Sequence, residues 1–466
     1  PPPIEIANRS RRHSMLAAAL LVREGDFVLF FQADPQDPHP AVNSQRGIRG
    51  VYKVAGVLSW ANHSSPILHP VHGADYKMHA VCPNCGGRFS TLYGNCPSCG
   101  NPLPLTRFLR RPNEPLPEHV LSLRIPVEPF TVFEKEVADE KVYGDMSFDS
   151  LVQRAVIWIG RHDNAMGDGK GSSVRQLLPE EAIRIYGLLL TEPGQTIKQL
   201  SPPKQRIPKT PVLNMDGTHL ECILRNENRP HVVKEEISIH TALSLGVNDP
   251  NSNLYQLIKQ TIPGLANLWE THYLEYVSSE FPWGYTGSTS DYVFVFRPRS
   301  GELIRHVVVI EFKRENVGVE EVAQAWLYMP WVAQLLGMHL AELYDKPNQI
   351  AEVHLTPVLV GKDLSRRGAN AIQALPRGYD RTVRYYNGAR VRHVVTEPVF
   401  WMYDLMPCPN GNGNRGKLLL SALNSSRGLP TVSYIPAIGT STAQRELRRT
   451  AEELRRMATH VRSRII

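Results

Sequence analysis

Asp291, Glu311 and Lys313 are the residue types and positions in this sequence best suited to chemistry. Asp291 opens the run Asp291-Tyr292-Val293-Phe294-Val295-Phe296, and Glu311 and Lys313 close the run that begins His306-Val307-Val308-Val309-Ile310. Both runs read as strands, and a turn over Arg297 to Gly301 makes them a hairpin. Because side chains alternate, Val307, Val309, Glu311 and Lys313 share one face while Val308, Ile310 and Phe312 share the other. Charges at the end of so apolar a strand are costly unless a partner or a metal compensates them. Asp291 on the adjoining strand can bring a second carboxylate to the same spot. Two carboxylates suit a hard Mg²⁺ or Mn²⁺ ion, and a neighbouring lysine can orient or deprotonate water while offsetting phosphate charge. That is phosphodiester-hydrolysis chemistry. The competing account is a buried ion network in a sheet with no metal.

The elements around the hairpin must hold these groups. After the second strand comes Gln324-Ala325-Trp326-Leu327-Tyr328, where a spacing of four puts Gln324 and Tyr328 on one helical face, able to hydrogen-bond a phosphate or brace Lys313. Pro330 should kink or end that helix. Glu352 to Val360 is expected to be a further strand and Arg366 to Leu375 a further helix.

These residues resemble the PD-(D/E)xK nuclease superfamily, in its RecB-type branch. Gly287-Ser288-Thr289-Ser290-Asp291 is similar to the first motif, Glu311-Phe312-Lys313 to the second and Gln324-x-x-x-Tyr328 to the third. The resemblance covers about a hundred residues and implies a restriction-endonuclease-like α/β core. It also implies that Asp291 and Glu311 bind the catalytic Mg²⁺ or Mn²⁺, that Lys313 assists the nucleophile, and that Gln324 and Tyr328 support the site. The branch draws one more acid or histidine from an upstream helix, which here would be Leu268 to Glu280 with Glu270, His272 and Glu275 on it. Glu275 is the residue expected to supply the ligand, and His272, three residues earlier on nearly the same face, is its closest competitor. Asp291 and Glu311 stand twenty residues apart, a long hairpin for this branch.

A second chemical signal lies far ahead of the first. Cys82-Pro-Asn-Cys85-Gly and Cys96-Pro-Ser-Cys99-Gly repeat one knuckle, and two such turns set four thiolates around a closed tetrahedral site. Four cysteines leave no open position, so the expectation is structural Zn²⁺ rather than zinc hydrolysis, with an iron–sulfur cluster as the disfavoured rival. The ribbon either replaces a core in a segment too small to fold alone or also grips nucleic acid. Cys222 and Cys408 have no spaced partners and are expected to be ordinary thiols.

The whole chain reads as multidomain α/β. Its 466 residues favour about three domains, and 42% apolar with 21% charged residues excludes a wholly disordered chain. Residues 1–80 form a β-rich module, in which Met15 to Val22 reads as a strand rather than a signal peptide. Residues 81–101 form the zinc ribbon, 102–211 a connector and mixed α/β middle domain with a helix from Pro179 to Leu190, and 236–435 the nuclease domain. The Pro-rich stretch from Ser201 to Pro211 marks the boundary. Gly167 to Ser172 is not a phosphate loop, because Asn164 and Gly171 stand where a Gly and a hydroxyl residue belong, so no nucleotide triphosphate is expected. Residues 441–466 read as a basic helix, docked on its own domain, paired with a second copy or laid along phosphates.

The formal charge of +7 permits a polyanionic partner without demanding one. Nucleic acid, DNA in particular, is the expected substrate, with a non-catalytic nucleic-acid-binding or assembly subunit as the alternative. No stretch is long and apolar enough for a bilayer, and the cysteine usage points to a reducing, cytoplasmic setting.

Overall fold

The computed structural model describes residues 16–32, 47–56, 58–60, 79–81, 84–85, 88–90, 98–100, 123–138, 176–198, 214–215, 218–219, 221–283, 288–343, 350–374, 378–385, 388–408, 413 and 415–423. The Pro-rich boundary, the loop from Gly167 to Ser172, the basic segment 441–466, Cys82 and Cys96 lie outside these residues. Cys85 and Cys99 each sit exposed in a turn, Cys85 between the paired strands His79–Val81 and Arg88–Ser90.

Residues 16–20 are helical rather than extended. The Leu-Ala-Ala-Ala-Leu composition explains the difference, since alanine and leucine are strong helix formers and none of the five is β-branched. The strands β1 (Phe27–Gln32), β2 (Gly47–Val54), β3 (Val127–Ala138) and β4 (Ile197–Lys198) then form a four-stranded antiparallel sheet in that order. Helix α1 (Pro179–Thr191) starts at its proline as the sequence predicts and lays Ile185 and Leu189 over Ile48, Val51, Phe133 and Val137.

The larger sheet begins with β5 (Cys222–Leu224). Helices α2 (Ile237–Val247), α3 (Asn253–Thr261) and α4 (Leu268–Thr271) follow, then the meander β6 (His272–Trp283), β7 (Ser288–Pro298) and β8 (Ile304–Phe312). Helix α5 (Val319–Leu343) crosses over to β9 (Ile350–Gly361), which runs parallel to β8. Helix α6 (Arg366–Ala374) leads to β10 (Tyr379–Arg384), β11 (Arg390–Val395), β12 (Val399–Pro407) and β13 (Arg415–Ala422). The strand order is β5-β13-β12-β9-β8-β7-β6, with β11 also against β9 and β10 against β11. The molecule is thus a mixed α/β structure with a curled, partly parallel sheet.

Alternation divides the sheet as expected. Tyr292, Phe294, Phe296, Val308, Ile310 and Phe312 pack under α2 and α3, while Val293, Val295, Val307 and Val309 pack under α5. Helix α5 continues through Pro330, which is exposed. The segment predicted as one helix from Leu268 to Glu280 is helical only to Thr271 and then becomes β6. Ten backbone pairs with β7, interrupted by a bulge at Leu274/Tyr276, make the rest of the segment a strand where the resemblance implied a helix.

Cys222 and Cys408 are joined by a disulfide rather than remaining thiols. Lys417 of β13 pairs with Cys222 on one side and Met406 on the other, so the fold brings together two cysteines 186 residues apart, with Cα atoms separated by 6.1 Å. No helix among the described residues is long and apolar enough to cross a membrane.

Candidate metal and phosphodiester site

Strand pairing brings Asp291 to the end of β8. The last matched pair of the hairpin is Tyr292 with Ile310. One residue further, the Phe312 amide donates to Asp291 Oδ2 at 2.5 Å. Glu311 and Lys313 flank that amide on the face opposite Phe312. Lys313 Nζ donates to Glu311 Oε1 at 3.0 Å. The three residues singled out from the sequence are therefore brought together, Asp291 held by the amide that lies between Glu311 and Lys313, and Lys313 bonded to Glu311.

Two further groups enter from α2, and the sequence reading had not selected either. Glu236 immediately precedes the helix and accepts the Arg314 amide on its Oε2 at 2.8 Å. His240, one turn later, is buried and places Nε2 3.3 Å from Asp291 Oδ1, its ring against Tyr292 and Phe312. Tyr292 fixes that turn. Its hydroxyl donates to the His240 carbonyl at 2.7 Å and meets Ser244 Oγ at 2.5 Å. The residue next to Asp291 on β7 thus clamps the helix that delivers Glu236 and His240.

Glu275 is engaged elsewhere. It lies on β6, where Arg305 Nε donates to Oε2 at 2.7 Å and Arg297 Nη1 lies 3.5 Å from Oε1. With its side chain only 6% exposed and that of Arg305 2%, this is a buried ion pair under α5, not a neighbour of Asp291. Glu270 and His272 also sit at the α4–β6 junction, away from the acids. The signal for Glu236 and His240 was their spacing of four, ahead of a run of helix-compatible residues.

On α5, Gln324 Nε2 donates to Tyr328 Oη. Tyr328 is fully buried against the face that holds Val309, two residues before Glu311, so this pair supports the same face of the strand that carries the acid. Beside Lys313 and Glu236 lies an open cleft of about 350 Å³, lined by these two with Arg314, Glu315, Asn316 and Glu321, while Asp291 and Glu311 sit behind its wall.

The electrostatics are those of crowded acids. Burial, reinforced by Asp291, pushes the Glu311 carboxyl up to about 8. Burial likewise raises Glu236, with Asp291 adding to it against the opposing pull of Lys313. Burial alone would lower Lys313, but Glu311 and Glu236 overcome it and hold the ammonium above its ordinary range.

Among the described residues no three His, Cys, Asp or Glu side chains already converge on one point closely enough to hold a metal. Asp291 is turned to His240 and the Phe312 amide, and Glu236 to the Arg314 amide. The donor chemistry nevertheless fits a hard divalent cation. Glu311 is 3% exposed, and its buried Oε2 has no hydrogen-bond partner among the described residues, an oxygen that a cation would satisfy once the carboxyl is ionised. No protein-family model, curated protein or solved structure matches this chain.

Proposed function

We propose that the chain is a Mg²⁺- or Mn²⁺-dependent nuclease that hydrolyses DNA phosphodiester bonds. The observation that carries this reading is the convergence of Asp291, Glu311 and Lys313 from two antiparallel strands, next to an open cleft that Lys313 and Glu236 line, with one buried carboxyl oxygen of Glu311 lacking a hydrogen-bond partner among the described residues. The surrounding order of helix, three antiparallel strands, crossover helix and parallel strand supports the PD-(D/E)xK resemblance.

Asp291, Glu311 and Glu236 would hold the cation, with His240 orienting Asp291. When bound, such an ion supplies Lewis-acid polarisation of a phosphoryl oxygen and favours ionisation of water. Lys313 is held above its ordinary range, its hydrogen bond to Glu311 and the neighbouring Glu236 outweighing burial, and so remains an ammonium at neutral pH. Its role is therefore to orient water and to stabilise charge developing on phosphate oxygens, not to remove a proton. Gln324 and Tyr328 hold the strand beneath. Cys82, Cys85, Cys96 and Cys99 would bind structural Zn²⁺, and the ribbon and N-terminal sheet would select the substrate. The basic segment 441–466 would serve protein partners or self-association.

A second reading, a non-catalytic nucleic-acid-binding subunit, is favoured by one observation: both oxygens of Asp291 already have partners within the protein. Cleavage of plasmid, linear duplex and single-stranded DNA under Mg²⁺ or Mn²⁺ decides between them. The parent should cut, and Glu311→Ala and Lys313→Ala should lose activity. Equal cleavage by all three proteins would refute the assignment, and salt-sensitive binding with no cleavage under any divalent ion would establish the second reading.

A further inference from the structure

The N-terminal sheet presents two aromatic rings to solvent. Phe27 and Phe130 are 58% and 57% exposed, with ring centroids 4.9 Å apart and planes at 68°. They stand on β1 and β3, on either side of β2. Phe27 pairs directly with Lys53, so these two side chains share a face. That face is the one α1 covers further along, since Leu29 and Val51, the next pair in phase, join the cluster beneath α1.

Regular alternation would not bring Phe130 there. Val51 pairs with Thr131 and Tyr52 with Pro129, which leaves Phe130 as the extra residue of a β-bulge. The bulge turns Phe130 toward Phe27 instead of into the layer that holds Val132 and Tyr52. Lys53 is exposed and, among the described residues, has neither an ion-pair nor a hydrogen-bond partner, although Glu128 lies directly across the ladder. Two exposed rings beside an exposed ammonium make a small platform, outside the cover of α1.

We infer that Phe27, Lys53 and Phe130 form a stacking platform for the bases of single-stranded nucleic acid. Every base has a π-face for an aromatic ring, and the ammonium answers the phosphate between bases. In a duplex those faces are already stacked, so the platform discriminates strandedness rather than sequence. The positive balance of the chain, +7, agrees with a polyanionic occupant. The inference names the substrate class of the nuclease proposed above and rests on that reading for its purpose, but its test requires no catalysis.

The test is fluorescence anisotropy of the full chain in EDTA with a labelled oligothymidine and with a duplex of the same length. Phe27→Ala and Phe130→Ala should each weaken single-strand binding about tenfold, leave duplex binding unchanged and melt with the parent. Phe130→Trp should retain affinity. Lys53→Gln should lower the salt slope by roughly one phosphate contact. Unchanged oligothymidine affinity in the Phe27→Ala/Phe130→Ala double variant would overturn the inference, as would equal loss on duplex. So would a parent that binds neither probe, which would leave a protein partner as the occupant. A parent that binds through the rings yet never cleaves would sink the catalytic reading and leave this one standing.

Discussion

Asp291 Oδ2 accepts the backbone amide of Phe312 at 2.5 Å, so the acid of one strand is fastened between Glu311 and Lys313 of the next. Because that link runs to backbone, replacing a neighbouring side chain does not release Asp291. The charges on Glu311, Lys313 and Glu236 are then set by a fixed carboxylate, and the properties of the cleft follow from it.

Cation affinity should depend steeply on pH. Burial and the Asp291 charge raise the Glu311 carboxyl toward about 8, so below that value a divalent ion competes increasingly with a proton. Affinity for Mn²⁺ should rise roughly tenfold per pH unit toward 8 and then level off. Because the folded carboxyl sits above its unfolded value, its contribution to stability is complete below the ordinary glutamate range and is lost as pH rises through about 8. Saturating Mn²⁺ should reverse that loss. Asp291→Asn should move the affinity midpoint to lower pH by removing the neighbouring charge. Calorimetric titration between pH 6 and 9 checks this, and a flat profile would contradict it.

Glu236 and Glu275 should part company on substitution. Glu236→Gln should weaken Mn²⁺ binding and cleavage tenfold or more with little change in melting. Glu275→Gln should leave Arg305 without its buried counter-charge, at a cost of about 3–5 kcal/mol, while cation affinity in the folded fraction stays put. Denaturant unfolding alongside Mn²⁺ titration separates the two. The reverse pattern would return the third ligand to β6.

How far the sequence revealed this site depends on which period each element obeys. The hairpin was legible because Tyr292 to Phe296 and Val307 to Phe312 alternate cleanly under two covered faces. The third-motif helix was legible from the spacing of Gln324 and Tyr328, though not its passage through Pro330. Helix α2 was not. It buries Ser238, His240, Thr241 and Ser244 together with Ile239 and Leu243, so no polar face contrasts with an apolar one. Meanwhile the resemblance implied a helix over Leu268 to Glu280, and only pairing with β7 makes most of it a strand. The Cys222–Cys408 bond depends on β13 lying between two distant segments, which no local pattern announces.

Tyr292→Phe tests the clamp on α2. Losing the hydroxyl leaves the His240 carbonyl and Ser244 Oγ without that partner, at a cost of about 1–3 kcal/mol. Cation affinity should fall severalfold, and adding Ser244→Ala should cost less than the sum of the two changes. Strict additivity in a double-mutant cycle would show that the two hydroxyls do not act together.

Reductant should matter to stability. Opening the Cys222–Cys408 link frees a long loop, and the folded state should lose about 2–5 kcal/mol. Cys222→Ser should melt like the reduced parent and be indifferent to dithiothreitol. A parent whose melting ignores dithiothreitol would contradict the cross-link.

A crystal of the parent soaked in Mn²⁺ and measured at the manganese absorption edge tests the central claim most directly. Anomalous density should appear between Glu311 and Asp291 within reach of Glu236, and should vanish in Glu311→Ala. Density confined to other parts of the surface, with Glu311 still bonded only to Lys313, would contradict the account.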